Sequence, residues 1–294
     1  MRTNKDSWTI TSSVGRTALL VALGRALETR RPDALIRDRF AEAFVRAAGE
    51  DSLTPEAIDE LVDSDPSVAG SVTMLRDMMA ARTLRIDTAV ADATASGCAQ
   101  AVILASGLDA RAHRLPWASG TPVFEVDQPA VLEFKNGVLD QLDAQTAAHR
   151  TTVACDLRDD WLGALRDAGF REDIPTVWLA EGLLPYLRAE DQQTLLTTIG
   201  SAAPSGSVLI LDVPREPFEP DHADFDASAF GVTMDELFFD IGQFATQDWL
   251  DGHGWATTSD SLVSLLSEYG RPAPEGSPWT RMQQSLDLVV AHRR

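Results

Sequence analysis

The stretch that most constrains the fold spans residues 100–128 and reads QAVILASGLDARAHRLPWASGTPVFEVDQ. Its first part, Ala101 to Ala105, is a short apolar run rich in branched residues, which is typical of a strand buried on both faces. A break at Gly107 ends that strand, and the pattern then predicts a short helix from about Ala110 to Leu115. A second strand is predicted from Pro122 to Val126. This strand–turn–helix–strand order predicts the first half of a mononucleotide-binding α/β fold.

The residues around this turn indicate the ligand class. Asp127 follows the second strand twenty residues after Gly107, close to the offset at which an acidic side chain binds a ribose diol. A dinucleotide site needs three glycines for its pyrophosphate, whereas this turn has one glycine and carries Asp109, which would repel a diphosphate. S-adenosylmethionine fits better, because its sulfonium and ammonium groups are cationic and tolerate a nearby carboxylate, so Asp109 is a candidate cofactor-binding residue. The alternative is an ordinary α/β turn in which Asp109 caps the following helix.

Acidic residues follow three consecutive predicted strands, at Asp127, Asp156 and Glu181. Because ligands of open α/β sheets bind beyond the carboxyl ends of the strands, we expect the three to line one crevice. Asp156 is placed to accept a hydrogen bond from an adenine amino group, with the backbone of Leu157 beside the ring. Glu181 is expected near the sulfonium. Alternatively, Asp156 caps the helix that begins near Trp161.

The segments on either side of this unit predict the domain organisation. Helices are predicted at about 13–28, 38–49, 55–61 and 71–96, with no strand among them. We therefore expect residues 1–98 to form a helical N-terminal cap over the site, and residues 99–294 to form the core. Beyond residue 128, a helix is predicted from 129 to about 148, and further helices alternate with strands near 151–155, 176–180, 207–211, 254–262 and 286–291. This alternation predicts a mostly parallel sheet with helices on both faces.

The alternation is interrupted at about 214–246 by a segment rich in acids, prolines and phenylalanines. Insertions of this length in compact domains are commonly functional, so we expect a lid. Its phenylalanines suit an apolar or aromatic acceptor, or else they are buried within a helix of the segment. His222 in this segment and Tyr186, which closely follows Glu181, are the candidate catalytic residues. The alternative for each of the five histidines is that it is a surface or packing residue rather than a catalytic base.

Composition excludes several function classes. The formal charge of −20, from 25 basic and 45 acidic residues, argues against nucleic acid or an anionic membrane as partner. Two cysteines form no disulfide framework and match no metal-ligand spacing, which predicts a reducing cytoplasm and no metal site. Since no signal-peptide core or membrane-spanning apolar run is present, no membrane association is expected.

Four segments also resemble a known family, and in chain order they read ARTLRIDTAVADATASGCAQAVILASGLDARAHRLPW, VFEVDQPAVLEFK, CDLRDDW and WLAEGLLPYL. With the motifs LDAR, EVDQP, DLR and AEGL in this order, the chain resembles actinobacterial S-adenosylmethionine-dependent methyltransferases of the leucine carboxyl methyltransferase type. That family includes carboxyl O-methyltransferases that act on aromatic polyketides. The resemblance covers roughly residues 12–213 and most of the tail. It implies a seven-stranded Rossmann-like (class I) methyltransferase sheet with an α-helical N-terminal cover.

The resemblance also implies a set of cofactor contacts. They are Arg82 at the methionine carboxylate, the backbone of Ala105 and Gly107 in the turn, Asp127 at the ribose, Asp156 and Leu157 at the adenine, and Glu181. Arg16 is the nearest candidate for an N-terminal basic contact of relatives, and His113 stands where many relatives have tyrosine.

The leading hypothesis is a small-molecule O-methyltransferase that prefers a carboxylate oxygen, which is already ionised at neutral pH. A phenol or hydroxyl acceptor of secondary metabolism is the alternative, and it needs a nearby base. A nicotinamide-dependent oxidoreductase is disfavoured by the missing glycines and by Asp109. A non-catalytic module that binds an adenosyl ligand is the remaining alternative.

Overall fold

The computed structural model describes residues 13–214, 244–272 and 286–294. The α-helices in these ranges are α1 (Ser13–Thr29), α2 (Ala41–Ala47), α3 (Pro55–Ser64), α4 (Ala69–Ala95), α5 (Arg111–Arg114), α6 (Pro129–Gln141), α7 (Trp161–Asp167), α8 (Ala189–Ala202), α9 (Thr246–Gly252) and α10 (Leu262–Glu268). The strands are β1 (Gln100–Leu104), β2 (Pro122–Asp127), β3 (His149–Ala154), β4 (Thr176–Ala180), β5 (Val208–Pro214), β6 (Trp255–Ser261) and β7 (Leu286–Arg293).

The strands form one seven-stranded sheet in the order β3-β2-β1-β4-β5-β7-β6. All pairs among the first five strands (β1 with β2, β1 with β4, β2 with β3, and β4 with β5) are parallel. Strand β7 runs antiparallel to both of its neighbours, β5 and β6. The carboxyl ends of β1, β2, β3 and β4 therefore lie along one edge of the sheet, as the sequence predicts.

Helices cover both faces of this sheet. Alternate side chains of β1 enter two different cores: Ile103 packs with α1 and α4, and Val102 packs with α7 and α8. A strand buried on both faces has a continuous apolar sequence, and all five residues of β1 and of β4 are buried. The predicted α/β class with helices on both faces is confirmed.

The N-terminal helices share the core of one sheet face. Leu19 and Leu23 of α1, Phe44 of α2 and Met78 of α4 belong to the same apolar cluster as Ile103 of the sheet. This packing joins the helical cover directly to the sheet, and the boundary at residues 98/99 stays a prediction. No helix within the described ranges has both the length and the apolar character required to cross a bilayer.

Some boundaries differ from those predicted. Helix α6 ends at Gln141 rather than near residue 148, and Asp143 just beyond it has the left-handed φ of +47° that a helix cannot continue through. Helix α10 was missed; it begins after Ser261, whose hydroxyl accepts the N–H of Ser264. Most of the segment at 214–246, with its expected lid and His222, lies outside the described residues.

The contact between α1 and α4 gives a first testable prediction. A Cβ on Gly24 would lie 2.6 Å from Cγ of Met79 and 3.1 Å from the carbonyl oxygen of Leu75. We expect Gly24→Ala to lower the free energy of unfolding by about 1–3 kcal/mol, despite a gain of about 1 kcal/mol in helix propensity. Gly137→Ala in α6 is the control, because a Cβ there meets nothing within 4 Å. Denaturant unfolding that finds both variants equally stable contradicts this prediction.

Candidate functional site

The turn after β1 is tied to the end of β2 by two hydrogen bonds. The N–H of Ser106 donates to the carbonyl of Val126 (3.1 Å), and the N–H of Gly107 donates to Oδ2 of Asp127 (2.6 Å). Both Ala105 (φ +48°) and Gly107 (φ +43°) have left-handed backbone conformations. For alanine this conformation costs roughly 1–2 kcal/mol, and such strain is characteristic of ligand-binding turns. The pair predicted from sequence spacing, Gly107 and Asp127, is therefore in direct contact.

Asp127 retains acceptor capacity for a ligand. Besides the bond from Gly107, its Oδ1 accepts the N–H of Gln128 at 2.7 Å. An ionised carboxylate has about four lone-pair sites, so two remain for hydroxyl donors. Burial raises the pKa of Asp127, while the two backbone N–H groups oppose that rise. A ligand diol that donates hydrogen bonds to this carboxylate would favour its ionised form.

Gln128 connects the ends of β2 and β3. Its Nε2 donates to Oδ2 of Asp156 at 2.9 Å. Asp156 also accepts from the Arg158 side chain and backbone, and the hydrogen bond from Arg158 holds the Asp156 pKa below its ordinary value. The alternative role of Asp156 as a cap for α7 is wrong, because Asp160 occupies that position and accepts the N–H of Gly163. Asp156 is thus linked to Asp127 through one glutamine.

The strand-end acid Glu181 lies between two arginines. Its Oε2 is 2.5 Å from Nη1 of Arg111, and its Oε1 is 2.8 Å from Nη2 of Arg82. Burial alone would raise the pKa of Glu181, but the charges of Arg111 and Arg82 outweigh burial and hold that pKa well below its usual range. Glu181 is therefore a carboxylate at any pH at which the protein would be assayed.

Arg82 contacts a second carboxylate, which the sequence analysis missed. Its Nη1 donates to Oδ2 of Asp212 at 3.1 Å, and Oδ1 of Asp212 accepts the N–H of Gly182 at 2.5 Å. Asp212 directly follows the predicted strand 207–211, so the rule that identified the other strand-end acids also identifies it. The buried Nε of Arg82 and Oγ of Ser106 have no hydrogen-bond partner among the residues that the structure describes.

Arg111 was also missed, although it belongs to the quoted LDAR motif. Its guanidinium contacts Asp109 and Glu181, and its Nε donates to Asp87 of α4 at 2.8 Å. The cap prediction for Asp109 is partly right: Oδ1 accepts the N–H of Arg111 at 2.6 Å, but Ala110 occupies the N-cap position of α5. Burial opposes ionisation of Asp109, and the charge of Arg111 prevails, so that the Asp109 pKa is lowered.

The cap helices reach the same turn. Ala18 of α1 has its Cβ 3.7 Å from the place where a Cβ on Gly107 would lie. Arg16, two residues earlier on the same helix, is 3.6 Å from Glu50. Arg16, the N-terminal candidate, is thus close in sequence to a residue that lies beside the turn.

The remaining predicted residues lie in different surroundings. Tyr186 ends a 3-10 turn, Leu184–Tyr186, and is partly buried against the core of the sheet face that carries the cap helices. The ring of His113 packs edge-on against Phe40 at 5.6 Å, and burial lowers the pKa of His113. Within the described ranges, no group of three or more His, Cys, Asp or Glu side chains is arranged to hold a metal ion.

The donor set fits an adenosyl ligand with a cationic tail. Asp127 and Asp156 present carboxylate oxygens at the ends of neighbouring strands, where hydroxyl and amino groups of a ligand could donate to them, and the described site lacks the glycine-rich loop that a diphosphate requires. The buried Nε of Arg82 has an unused donor among the described residues, and a carboxylate is the acceptor with which it would form the stronger, charge-assisted hydrogen bond. These residues fit S-adenosylmethionine, which carries a ribose, an adenine, a carboxylate and a sulfonium.

The sequence matches a family of known proteins. The model of the leucine carboxyl methyltransferase family matches residues 18–200. The chain is 45% identical over 282 residues to a protein of Rhodococcus jostii strain RHA1, with 94% of each chain covered. It is 44% identical over 286 residues to a protein of Mycolicibacterium gilvum, with 92% of this chain and 93% of that protein covered. Both relatives carry the provisional name S-adenosyl-L-methionine-dependent methyltransferase.

Solved structures support the fold. A protein of the DUF574 family from Streptomyces avermitilis superposes with a TM-score of 0.52, at 16% identity, over 86% of this chain and 96% of that one. With the seven-stranded sheet, this likeness confirms the class I methyltransferase fold. The family match and the relatives show that the cofactor is S-adenosylmethionine and the activity is methyl transfer. The chain belongs to the leucine carboxyl methyltransferase family.

Proposed function

We propose that this methyltransferase acts on an oxygen atom of a small molecule and prefers a carboxylate oxygen. The observation that carries the proposal is the charge state of the described site. Glu181, which directly follows β4 and is expected next to the sulfonium, is paired with Arg82 and Arg111. Its depressed pKa makes it a poor base at neutral pH. A carboxylate acceptor, already ionised, needs no base.

In this proposal each of the chain's own residues at the site has a defined role. S-adenosylmethionine supplies an electrophilic methyl group on its sulfonium. Asp127 accepts from the ribose hydroxyls, and Asp156 with the backbone of Leu157 holds the adenine. Arg82, whose Nε has no hydrogen-bond partner among the described residues, binds the methionine carboxylate. Because methyl transfer is an in-line displacement, the main contribution of these residues is to align the two reactants and to exclude water.

Phenol or hydroxyl methylation is the second candidate, and Tyr186 and Asp212 favour it. Tyr186 lies in the turn that follows Glu181 and Gly182, and it is partly buried. Asp212 has a pKa raised by burial, as a general base requires. Both of its oxygens, however, are already hydrogen-bonded, one to Arg82 and one to the N–H of Gly182. The carboxylate reading therefore remains the stronger proposal.

A matched-pair screen tests the acceptor class. The purified protein and S-adenosylmethionine are incubated with aromatic scaffolds that carry either a carboxylic acid or a phenol, and the products are examined by mass spectrometry for a methyl gain. We expect methyl esters from the acids, with a rate that changes little between about pH 7 and 9, since carboxylic acids are fully ionised there. Tyr186→Phe should leave that rate within a few-fold of the parent.

The other outcomes separate the alternatives. Methyl ethers formed only from phenols, at a rate that rises with pH and collapses in Tyr186→Phe, would refute the carboxylate proposal. Cofactor binding without a methyl gain on any acceptor would instead favour the non-catalytic adenosyl-binding module.

A further inference from the structure

A buried ion cluster lies beneath the proposed ribose site. Glu125 of β2 and Lys135 of α6 are both fully buried, and Nζ of Lys135 is 2.8 Å from Oε2 of Glu125. The same oxygen is 2.6 Å from Nη2 of Arg150 on β3. A buried ion pair is weak evidence of a stabilising role, because a packed hydrophobic pair of similar size is often at least as stable. Stability alone is therefore a weak explanation of this cluster, and a role in the neighbouring site is the alternative.

The cluster shares a strand face with Asp127. Side chains two residues apart on a strand point to the same side, roughly 6–7 Å from each other along the strand. Glu125 and Asp127 are therefore neighbouring carboxylates on one face of β2. Lys135 reaches this face from the second turn of α6, a helix that begins at Pro129, immediately after Gln128. Lys135 thus joins α6 to β2 close to the residues that contact Asp127.

Several charged or titratable groups surround Asp127 and the cluster. Glu125 on its own strand and Lys135 on α6 act on Asp127 itself, and Asp156 after β3 is linked to it through Gln128. Asp109 in the turn after β1, His113 on α5 and Arg150 on β3 interact with Lys135 or Glu125. Among them Lys135 is the cation that opposes the burial-induced rise of the Asp127 pKa, while Glu125 reinforces that rise. The charge of Lys135 also lowers the pKa of Asp109. One buried ammonium thus acts on two carboxylates of the site.

We propose that Lys135 is a positioning residue for cofactor binding: its buried ammonium keeps the Asp127 carboxylate ionised and α6 docked, so that Asp127 can accept from the ribose diol. Glu125 holds the ammonium in place. The inference rests on the assignment of Asp127 to the ribose in the proposed function.

The sign of the pH effect follows from the shift at Asp127. Its raised pKa means that the proton binds at a higher pH than for an ordinary aspartate. Protonation removes an acceptor for the ribose hydroxyls, so the affinity for the nucleoside falls as the pH drops through that raised pKa. This fall is the acid limb of the curve of affinity against pH. Removal of the Lys135 charge should move the acid limb to higher pH, and removal of the Glu125 charge as well should move it back.

The experiment measures the Kd of S-adenosylhomocysteine by calorimetry between about pH 5 and 8.5 in full-length variants. Lys135→Met should shift the acid limb upward by on the order of one pH unit, which is roughly a tenfold weaker affinity on that limb. The double variant Glu125→Gln with Lys135→Met should return the limb toward that of the parent, because both charges are removed together. Arg150→Met should move the limb less than Lys135→Met does, because Arg150 lies four residues before Ala154, the register partner of Asp127, and acts on Glu125 rather than on Asp127.

A merely structural role predicts a different pattern. It would make the double variant at least as weak as Lys135→Met, with the acid limb unmoved in both, and that result would overturn the proposal. Thermal unfolding of each variant shows whether it is folded at the titration temperature. If Lys135→Met is unfolded there, the pH dependence of the Kd is compared between the double variant and Glu125→Gln alone. The proposal then predicts that the acid limb of the double variant lies at higher pH than that of Glu125→Gln.

Asp127→Asn separates this inference from its premise. If Asp127 does not bind the ribose, that variant keeps the parental Kd and the assignment itself fails. An acid limb that is lost in Asp127→Asn but unmoved in Lys135→Met refutes the role of Lys135 alone. Because the product nucleoside is the probe, the identity of the methyl acceptor does not affect the result.

Discussion

Replacement of Arg111 by methionine is expected to lower the free energy of unfolding by about 3–5 kcal/mol. The guanidinium, 4% exposed, contacts Asp87, Asp109 and Glu181. These three carboxylates come from α4, from the turn after β1 and from the end of β4. Without the arginine they would remain buried near one another with much of their compensating charge removed, which is the costly way to break a buried ion pair.

Urea unfolding followed by circular dichroism provides the measurement for Arg111→Met. Arg171→Met is the matched control, because its partner Asp173 and Arg171 itself are 68% and 63% exposed, and such surface pairs contribute within about 1 kcal/mol. A loss in Arg111→Met no larger than in the control would show that the cluster does not hold the site together.

The second large effect is expected at Asp127. Asp127→Ala should weaken the binding of S-adenosylmethionine by about 1–3 kcal/mol, or roughly 5- to 150-fold in Kd. On the proposed assignment the substitution removes the acceptor for the ribose hydroxyls, and it also removes the partner of the Gly107 N–H in the strained turn. Both losses weaken the contact between the cofactor and the ends of β1 and β2.

Calorimetric titration of Asp127→Ala, with unfolding measured in parallel, separates lost binding from lost stability. Asp173→Ala changes an exposed carboxylate outside the site and serves as the control for net charge. If Asp127→Ala binds the cofactor as tightly as Asp173→Ala, the ribose assignment is wrong.

The central strands were predictable because their sequences are locally consistent. Apolar residues that are buried on both faces make β1 a continuous run, and the break at Gly107 coincides with a positive φ. Asp127 was predictable from its spacing to Gly107 alone, since a strand end and a turn at the same sheet edge are close in space.

The ion pairs of the site were not predictable in the same way. Arg111 lies 24 residues from Asp87 and 70 residues from Glu181, and Arg82 lies 130 residues from Asp212. Nothing local in the sequence specifies which buried arginine meets which carboxylate, because only the packing of α4 against the sheet edge brings them together.

The ends of two helices could not be predicted, because the features that set them are visible only in the three-dimensional structure. The stop of α6 depends on the left-handed conformation of Asp143, which is not a glycine. The start of α10 depends on the Ser261 hydroxyl, which follows a predicted strand without a break. In both places the backbone conformation, rather than the composition, sets the boundary.

The proposed roles of Asp127, Asp156 and Leu157 require the nucleoside to bind at the ends of β2 and β3. A crystal structure of the protein with S-adenosylhomocysteine tests this placement directly. We predict that the ribose hydroxyls lie within hydrogen-bonding distance of the Asp127 carboxylate, with the adenine beside Asp156 and Leu157. A nucleoside bound elsewhere, or an Asp127 carboxylate turned away from the ribose, would contradict the account.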